Sequence, residues 1–345
     1  MPVCKAWKEN FSRTSFIEQN FKELKSELVI QSAGSWHMKT KLIDIGEDLE
    51  CESRELGLSK IHKIHSSCDG FILMNEPGDY YYGKPRVINP ATKFCITIPG
   101  CPSRCYHRNY CSAALAFDSS TNQYKVVHIF KYYYGFEIFN LSNGDENWER
   151  VSGPWEHIHD QPFDVNFLWK NLVSINGRIL HWYVNSSEYF ISMDVKEGKF
   201  SRTYLPERSE VINKTNNYAL VQLDEFLSFI TCDSETTMDI WILEDFHGQV
   251  WSKKHTIVAE LTNYICPSKS ARPTEKTMPE LGKLVAVASA RNGEVLILKH
   301  QKNRNSKEYI YDTKSRVMKM FGISIKHLES FVPHKDSLFS MKRIS

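Results

Sequence analysis

Two kinds of tight turn alternate along this chain at a nearly constant separation, and that alternation constrains the fold more than any other feature. The first is a hairpin turn between apolar strands: Asp69-Gly70 before Phe71-Ile72-Leu73-Met74, Asn176-Gly177 before Ile179-Leu180-His181-Trp182, and Asn292-Gly293 before Val295-Leu296-Ile297-Leu298. Asp224-Glu225, before Phe226-Leu227, stands in the same place. Asn, Asp and Gly tolerate the positive φ that a two-residue loop demands. The second turn follows an apolar strand that ends in Asp or Asn, then passes through polar residues into a strand with an early aromatic. It runs from Asn89 to Phe94, from Asp118 to Tyr124, from Asp194 to Phe200 and from Asp312 to Val317, where Val replaces the aromatic. Looser versions run from Phe139 through Asn143-Gly144 to Trp148 and from Leu243 through His247-Gly248 to Trp251.

From 69 to 89, 176 to 194, 224 to 244 and 292 to 312 the two turns lie 20, 18, 20 and 20 residues apart. That is the spacing of a four-stranded antiparallel meander: strand, tight turn, strand, variable loop, strand, tight turn, strand. With Cys111 to Val151 as a further meander, units fall at 61–99, 110–152, 172–206, 218–258 and 283–321. An opening hairpin, Leu28 to Ile45 around Ala33-Gly34, and a closing strand, Ile323 to Val332, share a sixth. Four-stranded sheets recurring every ~40 to 50 residues are the signature of a β-propeller, whose radial repetition leaves only short protected edges. The fold class is therefore all-β, a propeller of about six blades over 28–332, followed by a tail at 333–345.

Ahead of the strands the period changes. Val3, Trp7 and Phe11 recur at i, i+4 and i+8, and Ser15-Phe16-Ile17-Glu18 has capping-box spacing before Phe21 and Leu24, so 1–24 reads as a short helical segment. It lacks the apolar core and small-residue cleavage site of an export signal, and no apolar run approaches the ~20 residues that span a bilayer. Lys and Arg number 43 against 41 Asp and Glu, so no global field draws the chain to nucleic acid or an anionic membrane. The nine cysteines are odd in number and widely spread, which argues against a disulfide framework and for core thiols in a cytoplasmic or nuclear protein.

Several of these segments together resemble a known family. Ser67-Cys68-Asp69-Gly70-Phe71-Ile72, Val87-Ile88-Asn89-Pro90-Ala91-Thr92, Ala116-Phe117-Asp118 with Tyr124-Lys125-Val126-Val127, Ile175-Asn176-Gly177 with Leu180-His181-Trp182, and Asp239-Ile240-Trp241-Ile242-Leu243 followed by Trp251 are similar, in this order, to the F-box-associated domain of plant F-box proteins. The resemblance implies a kelch-like propeller. Val3-Cys4-Lys5-Ala6-Trp7 and Ser15-Phe16-Ile17 look like the C-terminal end of an F-box, which makes 1–24 an F-box remnant truncated at its N-terminus. In that family the F-box docks on a Skp-type adaptor of a cullin-RING ubiquitin ligase while the associated domain captures a substrate. Carried over, Val3, Cys4, Trp7 and Phe11 become adaptor contacts, weakened or lost because the first F-box helices would precede Met1.

No nucleophile elbow, P-loop, dinucleotide fingerprint or metalloprotease helix is present. Cys95, Cys101, Cys105 and Cys111, with His107 among them, are the one cluster suggesting zinc, but only Cys101 and Cys105 have ligand-pair spacing, so they read as unpaired thiols and no cofactor is expected. Phe94, Tyr124, Trp148, Phe200 and Trp251 recur at matching places in the repeat and read as packing between blades, as do Trp182 and Trp241.

Function is expected instead in the loops. If both tight turns of every meander lie on one side, the loops between second and third strands and between blades emerge on the other. Those segments hold Tyr80, Tyr81, Tyr82, Arg104, Tyr106, Arg108, Tyr110, Tyr132, Tyr133, Tyr134 and Trp155, residue types that dominate protein interfaces. The expected protein is a non-catalytic substrate receptor of an SCF-type ligase that holds an unknown client on its loop-rich face, with a Skp-type adaptor and cullin scaffold as partners. The alternatives are a truncated decoy that binds client but not adaptor, and a propeller enzyme of the glycosidase or oxidase kind, which would need converging carboxylates.

Overall fold

A strand with one apolar face suits an open sheet, but Phe71–Asn75 and Glu308–Asp312 bury every side chain, so both faces of their sheets must be covered. The computed structural model describes residues 19–21, 23–33, 38–56, 64–75, 84–102, 111–130, 135–141, 147–154, 172–183, 186, 188–206, 218–232, 234–265, 277–300, 307–321 and 328–339. Among them the strands form six antiparallel sheets arranged as propeller blades.

Blade 1 begins with β1 (Glu27–Ala33), β2 (Met38–Ile45) and β3 (Cys51–Glu55), and blade 2 is β4 (Ile64–Cys68), β5 (Phe71–Asn75), β6 (Pro85–Asn89) and β7 (Phe94–Thr97). Blade 3 is β8 (Cys111–Asp118), β9 (Gln123–Phe130), β10 (Gly135–Asn140) and β11 (Trp148–Val151). Blade 4 is β12 (Val173–Ile175), β13 (Ile179–Trp182), β14 (Tyr189–Asp194) and β15 (Lys199–Tyr204). Blade 5 is β16 (Tyr218–Leu223), β17 (Phe226–Thr231), β18 (Thr237–Asp245) and β19 (Val250–Val258). Blade 6 adds β20 (Asn263–Ile265), which pairs in parallel with β24 (Val317–Met320) outside the meander of β21 (Leu284–Ala290), β22 (Val295–His300), β23 (Glu308–Asp312) and β24. The ring closes where β25 (Leu328–His334) pairs antiparallel with β1, Val332 opposite Val29, to become the innermost strand of blade 1.

Six apolar clusters account for the two-sided burial, because each spans two neighbouring blades. Between blades 3 and 4, for example, Val127, Phe136 and Ile138 meet Leu180, Trp182 and Met193; across the closure Val29, Leu42 and Val332 meet Ile64, Ile72 and Met74. Burying one such large side chain contributes about 1.5–3 kcal/mol relative to water. The aromatics behave as expected: Phe200 reaches Phe136 of the preceding blade at 4.1 Å, and Trp251 reaches Phe190 at 6.3 Å. Tyr124 also crosses between blades, 5.1 Å from Phe71, but from a second strand rather than a fourth, so its place is not equivalent to the others.

The inner strands have a free edge, and side chains of the adjoining blade satisfy it. Ile64 N donates to Gln31 Oε1 at 2.9 Å, and Leu115 N to Ser66 Oγ at 2.7 Å. Leu220 N donates to Tyr183 Oη, and Ser289 Oγ to Gln222 O. Buried peptide groups are thus paired without a continuous sheet around the axis.

Both turn types have a physical basis. Asn89, Asp118, Asp194, Asp245 and Asp312 each accept, through Oδ1, the amides two and three residues on, and Lys93, Asn122, Gly198, Gln249 and Arg316 close these turns at positive φ. An Asx side chain imitating a backbone turn explains why the preceding strand ends in Asp or Asn. The Asp118 turn has this form although it joins the first and second strands of its blade. Of the hairpin turns only 69–70 and 224–225 have two residues; 176–178 has three and 291–294 four. Two strands escaped the sequence reading. Four of the five residues of β3 are exposed, and its CESRE sequence carries no apolar alternation; β20 lies in a segment read as a loop. The closing strand runs over Leu328–His334 rather than ending at Val332.

Candidate functional site

Antiparallel meanders place every tight turn on one face, and the two faces differ in chemistry. On the turn face, the inner hairpins interlock. Phe117 N donates to Gly177 O at 2.8 Å, and Gly177 sits so close to Cys68 that a Cβ there would collide with its sulfur. Gln222 Nε2 donates to Asn176 Oδ1 at 3.2 Å, and Asn292 N to Ser26 Oγ at 2.7 Å. Gly293, at φ 96°, lies against the backbone of Asp224, where no side chain fits.

The titratable groups there belong to this packing. Tyr124 Oη donates to Asp69 Oδ2 at 3.1 Å, and Arg178 lies over the Phe117 ring at 5.1 Å. Burial raises the Asp69 carboxyl, against the pull of Tyr124 and Arg178; burial, with Asp69 beside them, also raises the Cys68 thiol and the Tyr124 phenol. All three are thereby poised toward their neutral forms.

Beneath the opposite face the blades carry buried polar side chains near the strand ends from which the long segments depart. They are Gln31 and Thr40 in blade 1, Asn75 in blade 2, His128 and Glu137 in blade 3, His181 in blade 4, Asp239 in blade 5 and Glu308 in blade 6. His128 Nδ1 lies 3.2 Å from Glu137 Oε2, directly across the β9–β10 pair, and Arg150 Nε stands 3.8 Å from Oε1. Asp239 is held by Lys253 at 2.6 Å and by Thr256 Oγ1 at 2.7 Å. In blade 4, His181 Nδ1 is 2.7 Å from Ser192 Oγ, itself 2.7 Å from Thr203 Oγ1, and complete burial depresses the imidazole to about 3. Buried polar groups must be paired to be tolerated, so this layer fixes the positions of the strand ends beneath the face.

One member of the sequence-derived zinc cluster reappears in new company. The donor atoms of buried Cys101, His128 and Glu137 lie within 4.8 Å of one another. The set is chemically able to ligate zinc, and an imidazole and a guanidinium already face the carboxylate. Cys95, by contrast, is exposed on β7, and Cys105 and His107 lie outside the described residues. Asp194, Glu197 and His247 form a second, more exposed cluster among the Asx turns. Sequence reasoning missed His128, Glu137 and His181; the available signal was a polar residue inside an apolar run, as in Val126-Val127-His128-Ile129 and Phe136-Glu137-Ile138.

The sequence-derived binding residues Tyr80, Tyr81, Tyr82, Arg104, Tyr106, Arg108, Tyr132, Tyr133, Tyr134 and Trp155, and the adaptor residues Val3, Cys4, Trp7 and Phe11, all lie outside the described residues. Among the described flanking residues, Asn75 and Phe130 end strands, Gly135 begins one and Gly153 follows one, all on the face opposite the turns. Among the described residues no helix is long and apolar enough to cross a membrane.

Comparison with known proteins adds the family. The F-box associated beta propeller domain family matches residues 24–336. F-box protein At5g49610 of Arabidopsis thaliana is 26% identical over 271 residues, covering 72% of this chain and 71% of that protein. Putative F-box protein At2g16220, from the same plant, is 25% identical over 190 residues, 51% of this chain and 43% of its own length, and F-box/kelch-repeat protein At4g19930 is 24% identical over 206, 54% and 41%. The chain thus spans about half the length of several curated relatives. Among solved structures, the nidogen/laminin complex superposes with a TM-score of 0.51 at 12% identity, over 90% of this chain and 99% of that one. TolB from Acinetobacter baumannii gives 0.50 at 11%, over 97% and 74%. At such identities the likeness is one of fold alone.

Proposed function

This chain belongs to the F-box associated β-propeller family, and we propose that it is a substrate-recognition subunit of an SCF-type ubiquitin ligase, holding a client protein on the face opposite its tight turns. The observation that carries the reading is the contrast between the faces. One is occupied by interlocking glycine turns and Asx turns, while the other carries the long segments, above buried polar side chains in every blade. Binding loops work best on a rigid scaffold whose supporting shell is satisfied.

In this reading Tyr80, Tyr81, Tyr82, Arg104, Tyr106, Arg108, Tyr132, Tyr133, Tyr134 and Trp155 contact the client, and Val3, Cys4, Trp7 and Phe11 belong to the adaptor-binding segment. The chain contributes proximity and orientation, and partner enzymes do the chemistry, in the cytoplasm or nucleus. Replacing Tyr132, Tyr133 and Tyr134 with Ala should abolish capture of a client found by unbiased pull-down, since interface anchors are worth up to ~2 kcal/mol or more each. Replacing Lys196 and Lys314, in Asx turns on the other face, should leave capture intact while both variants melt like the parent. Loss of capture by the lysine variant alone would reverse the assignment of faces.

A further inference from the structure

Both ends of the described chain leave on the turn face. β1 begins at Glu27 opposite His334, the last residue of β25. Residues 335–339 then run under blade 2 instead of into solvent. Ser337 is buried; its Oγ donates to Asp69 O at 2.5 Å, and Asn89 Nδ2 donates to the carbonyls of Ser337 and Phe339 at 3.0 and 3.2 Å. Gly70 permits this course, because at φ 81° a Cβ would collide with Ser337. The tail is held at its start too. Arg54 bridges Asp336 at 2.8 Å and Glu27 at 3.0 Å, and His334 contacts Asp336 at 3.1 Å and Ser67 at 2.8 Å.

What the anchored tail holds in turn is the incoming chain. Residues 19–21 and 23 are helical, with Leu24 N donating to Asn20 O at 3.1 Å. Phe21 of that turn packs edge-on against Phe339 at 5.3 Å, and the Lys335 ammonium lies over its ring at 4.9 Å. The two grips differ in kind. The tail joins the propeller by buried hydrogen bonds and by Phe339, which packs against the apolar cluster between blades 2 and 3, whereas Phe21 joins the tail by one ring pair and one cation–π contact, each modest in strength. Removing the second grip need not disturb the first.

We propose that residues 335–339 are a clamp that fixes the direction in which the N-terminal segment leaves the propeller, with Phe21, Phe339 and Lys335 as positioning residues. Resting on the receptor reading, this deepens it: the adaptor-binding segment departs on the face opposite the client, and a receptor that works by orientation needs that angle held. An untethered turn of helix would instead swing about the residues before β1, spreading the client over many positions relative to the ligase.

The test compares the full chain with Phe21→Ala/Lys335→Ala, which leaves Phe339 against the core cluster, and with Phe21→Leu, which keeps apolar bulk. Expected for the double variant are tryptic cleavage after Lys25 at least tenfold faster, a broadened distance distribution between labels at residues 19 and 196, and an unchanged melting midpoint; Phe21→Leu should fall between it and the parent. Unchanged cleavage and distances in the folded double variant would overturn the clamp. So would a fall in the melting midpoint matching the release of the helix, since the tail would then be part of ring closure. Neither readout involves a client or an adaptor. If both succeed while the parent chain captures no client and recruits no adaptor, the receptor reading fails and the clamp stands.

Discussion

Mild acid should weaken this propeller through His181. The imidazole is fully buried between the Phe190 and Phe246 rings, at 5.5 and 5.8 Å, in contact with Ser192, and burial alone lowers it to about 3. Unfolded, the same group titrates near ~6.5. Because the unfolded state then binds more protons, stability is fully present above pH ~6.5 and is lost as pH falls from there toward 3. Between pH 7 and 5 the loss is RT ln[(1 + 10^1.5)/(1 + 10^−0.5)], about 2 kcal/mol, a large share of the stability of an ordinary domain. His255, lowered by burial and by Arg316 but far less enclosed, adds to it in the same direction, whereas Asp336, held down to about 2 through His334 and Arg54, contributes loss only below the ordinary carboxylate range. Urea unfolding followed by tryptophan fluorescence, at pH 7 and pH 5, measures the difference. His181→Asn keeps an acceptor toward Ser192 without a titrating ring, so its absolute stability falls while most of its pH dependence disappears. A wild-type midpoint flat from pH 7 to 5, or an unaltered slope in the variant, refutes the assignment.

Other outcomes follow from the same architecture. Ending the chain at Phe321 removes β25, exposes the edge of β1 and strips the closure cluster of Val332, so calorimetry should show one lowered transition for the whole ring rather than fraying at one end. Gly293→Ala, which meets Asp224 backbone at φ 96°, should destabilise by about 3 kcal/mol or more, whereas Gly198→Ala, with open space around it at φ 66°, should lose only about 1, as compared by denaturant midpoints.

The blades were legible because their constraints are local. A turn at positive φ admits few residues, so Asn176-Gly177 and Asn292-Gly293 mark hairpins, and an Asx side chain that replaces a backbone turn marks Asn89, Asp194 and Asp312. Two such signals some 20 residues apart bracket a meander whatever lies between. β3 was invisible for the converse reason: as an outer edge strand it is mostly exposed, and nothing forces Cys51–Glu55 to alternate. The Asp118 turn shows that turn chemistry reports local backbone geometry and not position within the blade.

The proposed binding face was legible only by elimination, and the blade architecture explains why. Sandwiching every blade between two others makes its strands apolar on both sides, which spends the periodic signal on packing and leaves none for function. The departures from that pattern are therefore informative. Glu137 opposite His128 and His181 opposite Ser192 each place costly polar groups in a layer that packing alone would fill with Val or Ile. The position of His128, Glu137 and His181 near the ends of β9, β10 and β13 that face away from the turns gives them a task that hydrophobic residues perform poorly: directional hydrogen bonds hold strand ends in one register where a slippery apolar contact would not. In the proposed receptor, loops held in one arrangement draw on that footing.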